Sequence, residues 1–184
     1  MRPIFTVHAG EYLVGSKIEG KFKKKFDLWI PARDTGLDLL VTNPTRHKMA
    51  SLQVKFSKDF LGPGRQGDWH ARIAAMGWWS LKRDEMRRSK ASLWVLVTYT
   101  FATRARHFIV IPPRELLNRL TAIHGRKRLF HTYMWVTETG RCWEARGLPK
   151  KDQVLLAHDR LEDAHARDFT KHLNNWGLLK KLLS

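Results

Sequence analysis

Apolar and polar positions alternate most regularly along Leu52-Gln53-Val54-Lys55-Phe56. Side chains two apart in a strand share a face, so Gln53 and Lys55 point one way and Val54 the other. Around this stretch the pattern predicts a series of elements. Residues 7–19 carry Ala9, Tyr12, Leu13 and Ile18 at rough helical spacing and predict a helix closed by Gly20. Residues 26–32, 37–42 and 49–57 predict three strands, joined by a turn at 33–36 and a polar hairpin loop at 43–48. Residues 60–67 read as a glycine-rich loop. Residues 69–90 predict helix, broken near Gly77, with Trp69, Ile73 and Met76 on one stripe and Trp79 and Met86 on another. Trp78 and Trp79 are adjacent and cannot face the same way, so one of them is expected to be exposed.

Strands follow at 93–101 and 107–111, then a helix at 114–121 opened by Pro112-Pro113. A hairpin at 132–136 and 141–145 turns on Thr139-Gly140. Residues 147–158 lack a regular pattern. A last helix is expected over 167–183, with Phe169, Leu173, Trp176 and Leu179 as its apolar face. Lys180 and Lys181 then sit in its last turns, where the helix dipole favours them. There is no internal repeat and no composition shift that marks a boundary. The expectation is one α/β domain over 1–184, with a core at about 7–111 and a C-terminal elaboration at about 112–184.

Composition narrows the function. With 184 residues, 43% hydrophobic and 28% charged, the chain can bury a sizeable core. No run approaches the roughly 18 apolar residues of a membrane span. The first eight residues are too short and polar to read as a signal peptide, and a single cysteine, Cys142, allows no internal disulfide. The expected location is therefore the cytoplasm.

The net charge is +17 and the sequence pI about 10.5. The charge is uneven: residues 61–128 hold 14 Lys+Arg against 4 Asp+Glu, a net +10, whereas residues 1–60 carry +5 and residues 129–184 carry +2. A basic surface spread over the body of a domain points to nucleic acid. An anionic membrane surface is the competing polyanion, but no long basic amphipathic helix stands out. The expected backbone contacts are Lys23, Lys24 and Lys25, Arg65 in the glycine-rich loop, and Arg72, Lys82, Arg83, Arg87 and Arg88.

Several chemistries lack their residues. His158, His165 and His172 recur every seven positions without the spacing or the Cys or carboxylate support of a zinc site, and read as lining a solvated face. No Gly-x-Ser-x-Gly element is present for a serine hydrolase. The glycine-rich loop lacks the Gly-Lys-Ser/Thr ending of a phosphate-binding loop, and Cys142 has no feature that would make it a thiolate.

What remains is Asp38, Gln53 and Lys55. If their strands are adjacent, an acid, an amide and an ammonium converge at one sheet edge. Phosphodiester hydrolysis needs an activated water and relief of charge on the phosphate, and a hard divalent cation serves both. Asp38 offers a carboxylate oxygen, Gln53 an amide oxygen and Val54 a backbone carbonyl. Lys55 can orient the attacking water and stabilise the developing negative charge. Glu11, if its helix packs at the same edge, supplies a second carboxylate. A plain structural explanation competes. Asp38 can end the turn at Gly36, Gln53 and Lys55 can be the solvent face of a half-buried strand, and Glu11 can simply favour a helix N-terminus.

Gly10-Glu11 in an N-terminal helix, Gly36-Leu37-Asp38-Leu39-Leu40-Val41, and Gln53-Val54-Lys55 together resemble the PD-(D/E)xK nuclease superfamily, in the Mrr-like variant where Gln replaces the second acid. Two departures stand out: Leu37 precedes the acid in place of Pro, and Gln53 lowers the charge of the site. The resemblance implies a restriction-endonuclease-like αβββαβ core, a mixed central sheet flanked by helices, with the C-terminal hairpin and helix added to it. It implies Asp38 and Gln53, with Val54 and Glu11, at a site for Mg2+ or Mn2+, and Lys55 as the catalytic lysine. DNA is the implied substrate, with RNA the alternative, and two-strand cutting admits a homodimer. Two rival readings remain: a catalytically silent fold of this type that only binds nucleic acid, and an RNA-binding protein that uses exposed tryptophans.

Overall fold

The computed structural model describes residues 9–23, 25–32, 36–45, 47–58, 68–100 and 103–184. Lys24, Arg65, residues 7 and 8, the turn residues 33–35 and the glycine-rich loop lie outside them. The protein is a mixed α/β structure. Its main sheet has five strands in the order β1 (Asp27–Trp29), β2 (Leu39–Asn43), β3 (Lys48–Lys58), β5 (Leu93–Thr100) and β6 (Ala105–Ile111). All neighbours are antiparallel except β3 and β5, which run parallel. A parallel pair requires a crossover between its strands. Here the crossover contains β4 (Ile73–Lys82) and a six-residue helix, α2 (Arg83–Arg88). β4 belongs to a second antiparallel sheet with β7 (Leu129–Thr137) and β8 (Cys142–Glu144).

The strand at 73–82 overturns the helix expected there. From Gly77 onward the positions alternate: Trp79 and Leu81 are buried, Trp78, Ser80 and Lys82 exposed. Paired aromatics and a glycine also favour extended over helical backbone. Gly77 has a packing reason. A Cβ there would lie 2.4 Å from Thr98 Oγ1 and 2.2 Å from the Trp79 ring, so glycine lets the second sheet settle onto the first. As expected, one of the two adjacent tryptophans is exposed: Trp78 is 38% accessible and Trp79 4%.

The two faces of the main sheet are covered differently. One packs Leu39, Val41, Leu52, Val54, Val95, Val97 and Val110 against α1 (Ala9–Phe22) and α5 (Gly177–Leu183), through Val14, Ile18, Leu179 and Leu183. On the other face, Trp94, Leu96, Ile109 and Ile111 are covered by β4, β7, α2 and α3 (Pro113–His124), which contribute Trp79, Met134, Met86 and Leu116. That cover extends over β5 and β6. Over β2 and β3, Asp38, Leu40, Thr42, Ser51 and Lys55 on this face remain half-buried.

Other expectations shift at their ends. Helix α1 runs through Gly20 to Phe22 instead of stopping there. Residues 147–158 contain a helix, α4 (Lys150–Ala157), whose Leu156 packs beneath Trp135 and Trp143. The long final helix is broken: two short 3-10 turns at His165–Arg167 and Thr170–His172 precede α5. The break is forced by tertiary bonds. Arg167 donates to the fully buried Glu144 carboxylate at 2.8 Å. Asp168 accepts from Arg141 at 2.8 Å and from the Thr170 N–H at 2.8 Å. His172 is buried rather than solvated, with Nδ1 donating to the Val110 carbonyl at 3.2 Å and Nε2 facing Glu115 at 3.1 Å. Cys142 is fully buried, and burial pushes its thiol well above the ordinary cysteine value.

Candidate functional site

Opposed residues of paired strands share a face, so the register lays out the open side of the sheet in rows. Leu39 opposes Leu52, which sets Asp38 beside Gln53, and Gln53 in turn opposes Trp94 on β5. The Asp38 N–H donates to the Leu52 carbonyl at 2.9 Å and extends the ladder by one residue beyond β2. Lys55 lies one pleat further along β3, opposite Leu96. The three polar residues of the motif therefore stand on one face, at the place where β2 ends and β3 continues.

Their bonds define the geometry. Asp38 Oδ2 accepts from Gln53 Nε2 at 2.5 Å and from the Val54 backbone N–H at 2.6 Å. Asp38 Oδ2 is the acceptor in both bonds, so the amide nitrogen of Gln53 faces it and Gln53 Oε1 turns toward Gly36. A Cβ built on Gly36 would lie 3.8 Å from that oxygen. The Lys55 ammonium stands 5.6 Å above the centre of the Trp94 ring, a cation–π arrangement. Its backbone is held from the second sheet, because Trp79 Nε1 donates to the Lys55 carbonyl at 3.0 Å. Trp94 is 2% accessible and is itself fixed through Nε1 donating to Ser89 Oγ at 2.9 Å.

Glu11 arrives from the opposite, sealed side. Helix α1 touches β3 through Gly10, where a Cβ would lie 2.9 Å from Phe56 Cβ and 3.1 Å from Val54 Cγ1. That close approach brings the first turn of α1 to the part of β3 that β2 does not cover. Glu11 is 9% accessible there, as is Gln53.

Glu11, Asp38, Gln53, Val54 and Lys55 line a single cleft of about 830 Å³. Its far wall is Asp84, Glu85 and Arg88 of α2, then Ser89, Lys90 and Trp94, of which the sequence pointed only to Arg88, as a backbone contact. The β4–α2 crossover carries them there, and no local spacing signals it. The lining combines four acids (Glu11, Asp38, Asp84 and Glu85) with three bases (Lys55, Arg88 and Lys90), so the cleft is not itself cationic. The cations lie on its rim and beyond. Lys82 pairs with Glu85 at 3.0 Å and Arg87 with Asp84 at 3.2 Å. Arg83 is half-buried beside them. Lys23 and Lys25 are exposed just after α1, and Arg72 is exposed before β4, so these three are not brought into the cleft.

Among the described residues, no group of three His, Cys, Asp or Glu side chains is placed to hold a metal ion. No helix among them is long and apolar enough to cross a membrane. Set against family models, curated proteins and solved structures, the chain matches none of them.

Proposed function

We propose that the protein is a divalent-cation-dependent endonuclease of the PD-(D/E)xK type that hydrolyses phosphodiester bonds in DNA. The observation that carries this is the convergence of Glu11, Asp38, Gln53 and Lys55 on one cleft. The order of elements supports it too: a helix, three antiparallel strands, then a crossover to a parallel strand. That order resembles the αβββαβ core, with a strand and a short helix in place of the single crossover helix.

The residues fit Mg2+ or Mn2+. Two carboxylates, a strand carbonyl and, with the Gln53 amide turned so that its oxygen replaces its nitrogen, an amide oxygen would make a hard-oxygen set of the kind that leaves room for bound waters. A strand residue turns its N–H and C=O to the same side, and the Val54 N–H donates to Asp38, so its carbonyl is the backbone oxygen on the Asp38 side. The bound cation would supply Lewis acidity and an activated water. The remaining chemistry belongs to the chain. The two neutral donors on Asp38 Oδ2 fix the orientation of that carboxylate. Lys55, kept in place over Trp94, meets the negative charge that develops on the scissile phosphate. Glu11 restores the charge that Gln53 does not bring. Arg88 and its neighbours take the phosphates on either side of the reacting one.

Cleavage of supercoiled plasmid with Mg2+ or Mn2+, compared with chelator, tests this. Lys55→Ala should abolish cutting in a normally folded protein, and unchanged cutting would sink the proposal. A second reading, a nucleic-acid-binding protein without catalysis, is favoured by one contact: the Gln53 amide is turned to Asp38 as a donor. It predicts salt-sensitive binding indifferent to Mg2+ and to Asp38→Ala, and no cleavage.

A further inference from the structure

The open face of the main sheet continues past the cleft toward its edge. One row beyond Asp38 and Gln53 come Ser51, Leu40 and, on the edge strand, Trp29; the next row holds Met49, Thr42 and Asp27. One pleat separates successive rows, about 7 Å. Trp29 is 56% accessible and Met49 64%, two of the most exposed large apolar side chains described. The indole is held in place: Trp29 Nε1 donates to Thr42 Oγ1 at 3.0 Å, across the face toward Met49. Between this shelf and the cleft, Ser51 Oγ donates to the Lys90 carbonyl at 3.3 Å, which ties the row to the segment carrying Arg88 and Lys90.

We infer that this shelf stacks an unpaired base, so that the substrate class of the site is a polynucleotide with a single-stranded segment beside the scissile phosphate. The inference rests on the nuclease reading for its catalytic meaning, and on the shelf alone for its binding meaning. Every base has a π-face, but inside a duplex both faces are already stacked, so away from a helix end a base must be unpaired to lie on an indole. A ring already fixed by a hydrogen bond loses little freedom when a base covers it. The chain's net charge of +17 and the adjacent Arg88 and Lys90 suit the accompanying backbone.

The test uses the full chain in chelator, so that nothing is cut. Fluorescence anisotropy compares a labelled dT oligomer of about 12 nucleotides with a blunt duplex of equal length at the same salt. The dT oligomer should bind more tightly. Trp29→Ala should weaken it about tenfold while changing the duplex less than about twofold, and Trp29→Phe, which keeps a π-face, should retain most of the affinity. Because Trp29 is more than half exposed, thermal melting should confirm that both variants are folded. Tighter duplex binding, an unchanged dT affinity in Trp29→Ala, or equal loss for both ligands would overturn the inference. Cleavage is scored separately. Wild-type protein that shows the expected dT binding but cuts nothing with Mg2+ overturns the nuclease reading and leaves the shelf standing. Protein that cuts, but whose Trp29→Ala variant binds dT unchanged, does the reverse.

Discussion

The two faces of the five-stranded sheet come from the same strands and are put to different uses. On the face beneath α1 and α5, every described β3 and β5 position from Leu52 to Val97 is aliphatic or aromatic, and most are fully buried. On the other face those strands present Ser51, Gln53, Lys55 and Ser57 from β3, and Trp94 and Leu96 from β5. Polar residues collect where the second sheet stops short. The lesson concerns layers: a sheet covered more completely on one side than on the other draws stability from the first and leaves an accessible, semi-rigid site on the second.

The comparison can be broken by one residue from each face. On the open face, Lys55→Ala should lower Mg2+-dependent cleavage by about 10²–10⁴-fold and leave the unfolding midpoint nearly unchanged. Equal losses of stability and activity would mean that Lys55 belongs to the core after all. On the sealed face, Leu179→Ala should cost about 2–5 kcal/mol in denaturant unfolding, while the molecules that remain folded keep their activity. Leu179 is fully buried in α5 and is not part of the cleft lining, so reduced turnover per folded molecule would contradict the division between faces.

Two glycines of α1 sharpen it further. Gly10→Ala drives a methyl into Phe56 and Val54 and should cost about 1–3 kcal/mol, with a larger proportional loss of cleavage because Glu11 moves with the helix. Gly20 has nothing within 4 Å of a built Cβ, and Gly20→Ala should instead stabilise by about 0.5–1 kcal/mol with no change in activity. Parallel melting and cleavage curves for the two variants decide whether α1 is a positioning device or only a cover.

The smallest effect is one of pH. Burial pushes the Asp168 carboxyl up, but bonds from Thr170 and Arg141 and the Arg141 charge outweigh it and hold the group below its ordinary value. Glu115 is likewise pushed up by burial and brought below its ordinary value by Lys171 and His172. A carboxylate with a depressed folded-state pKa stabilises the fold above its unfolded value, and that contribution disappears as pH falls through the folded value. Stability should therefore decline as pH drops below the ordinary carboxylate values of 4.5 and 3.8. Asp168→Asn should make that decline shallower, and an unaltered acid slope in melting curves would remove Asp168 from the account.

Much of the site was legible in the sequence because its signals are local. Leu39 to Asn43 and Lys48 to Lys58 form neighbouring strands, with Asp38 just before the first, and the period-two pattern puts Gln53 and Lys55 on one face. Gly10-Glu11 falls in the first turn of a helix, as its spacing implies. What could not be read depends on pairings far apart in the chain. Trp94 stands opposite Gln53 only because β3 and β5 are parallel, and α2 reaches the cleft only through the crossover. At 73–82, Ala74, Ala75 and Met76 favour helix, and pairing with β7 overrides that preference. The alternation of Trp78, Ser80 and Lys82 and the paired tryptophans after Gly77 are the visible marks of the strand. Residues 167–176 form no continuous α-helix because Arg167, Asp168 and His172 are each bound elsewhere in the fold.

The buried thiol of Cys142 has a practical consequence. Maleimides and similar reagents react with thiolates, and the only native cysteine is enclosed and reluctant to ionise. In the folded state the protein behaves toward such reagents as though it had no cysteine. A cysteine placed at exposed Met49 would then be the one point of attachment, and a dye coupled there would report directly on what occupies the shelf.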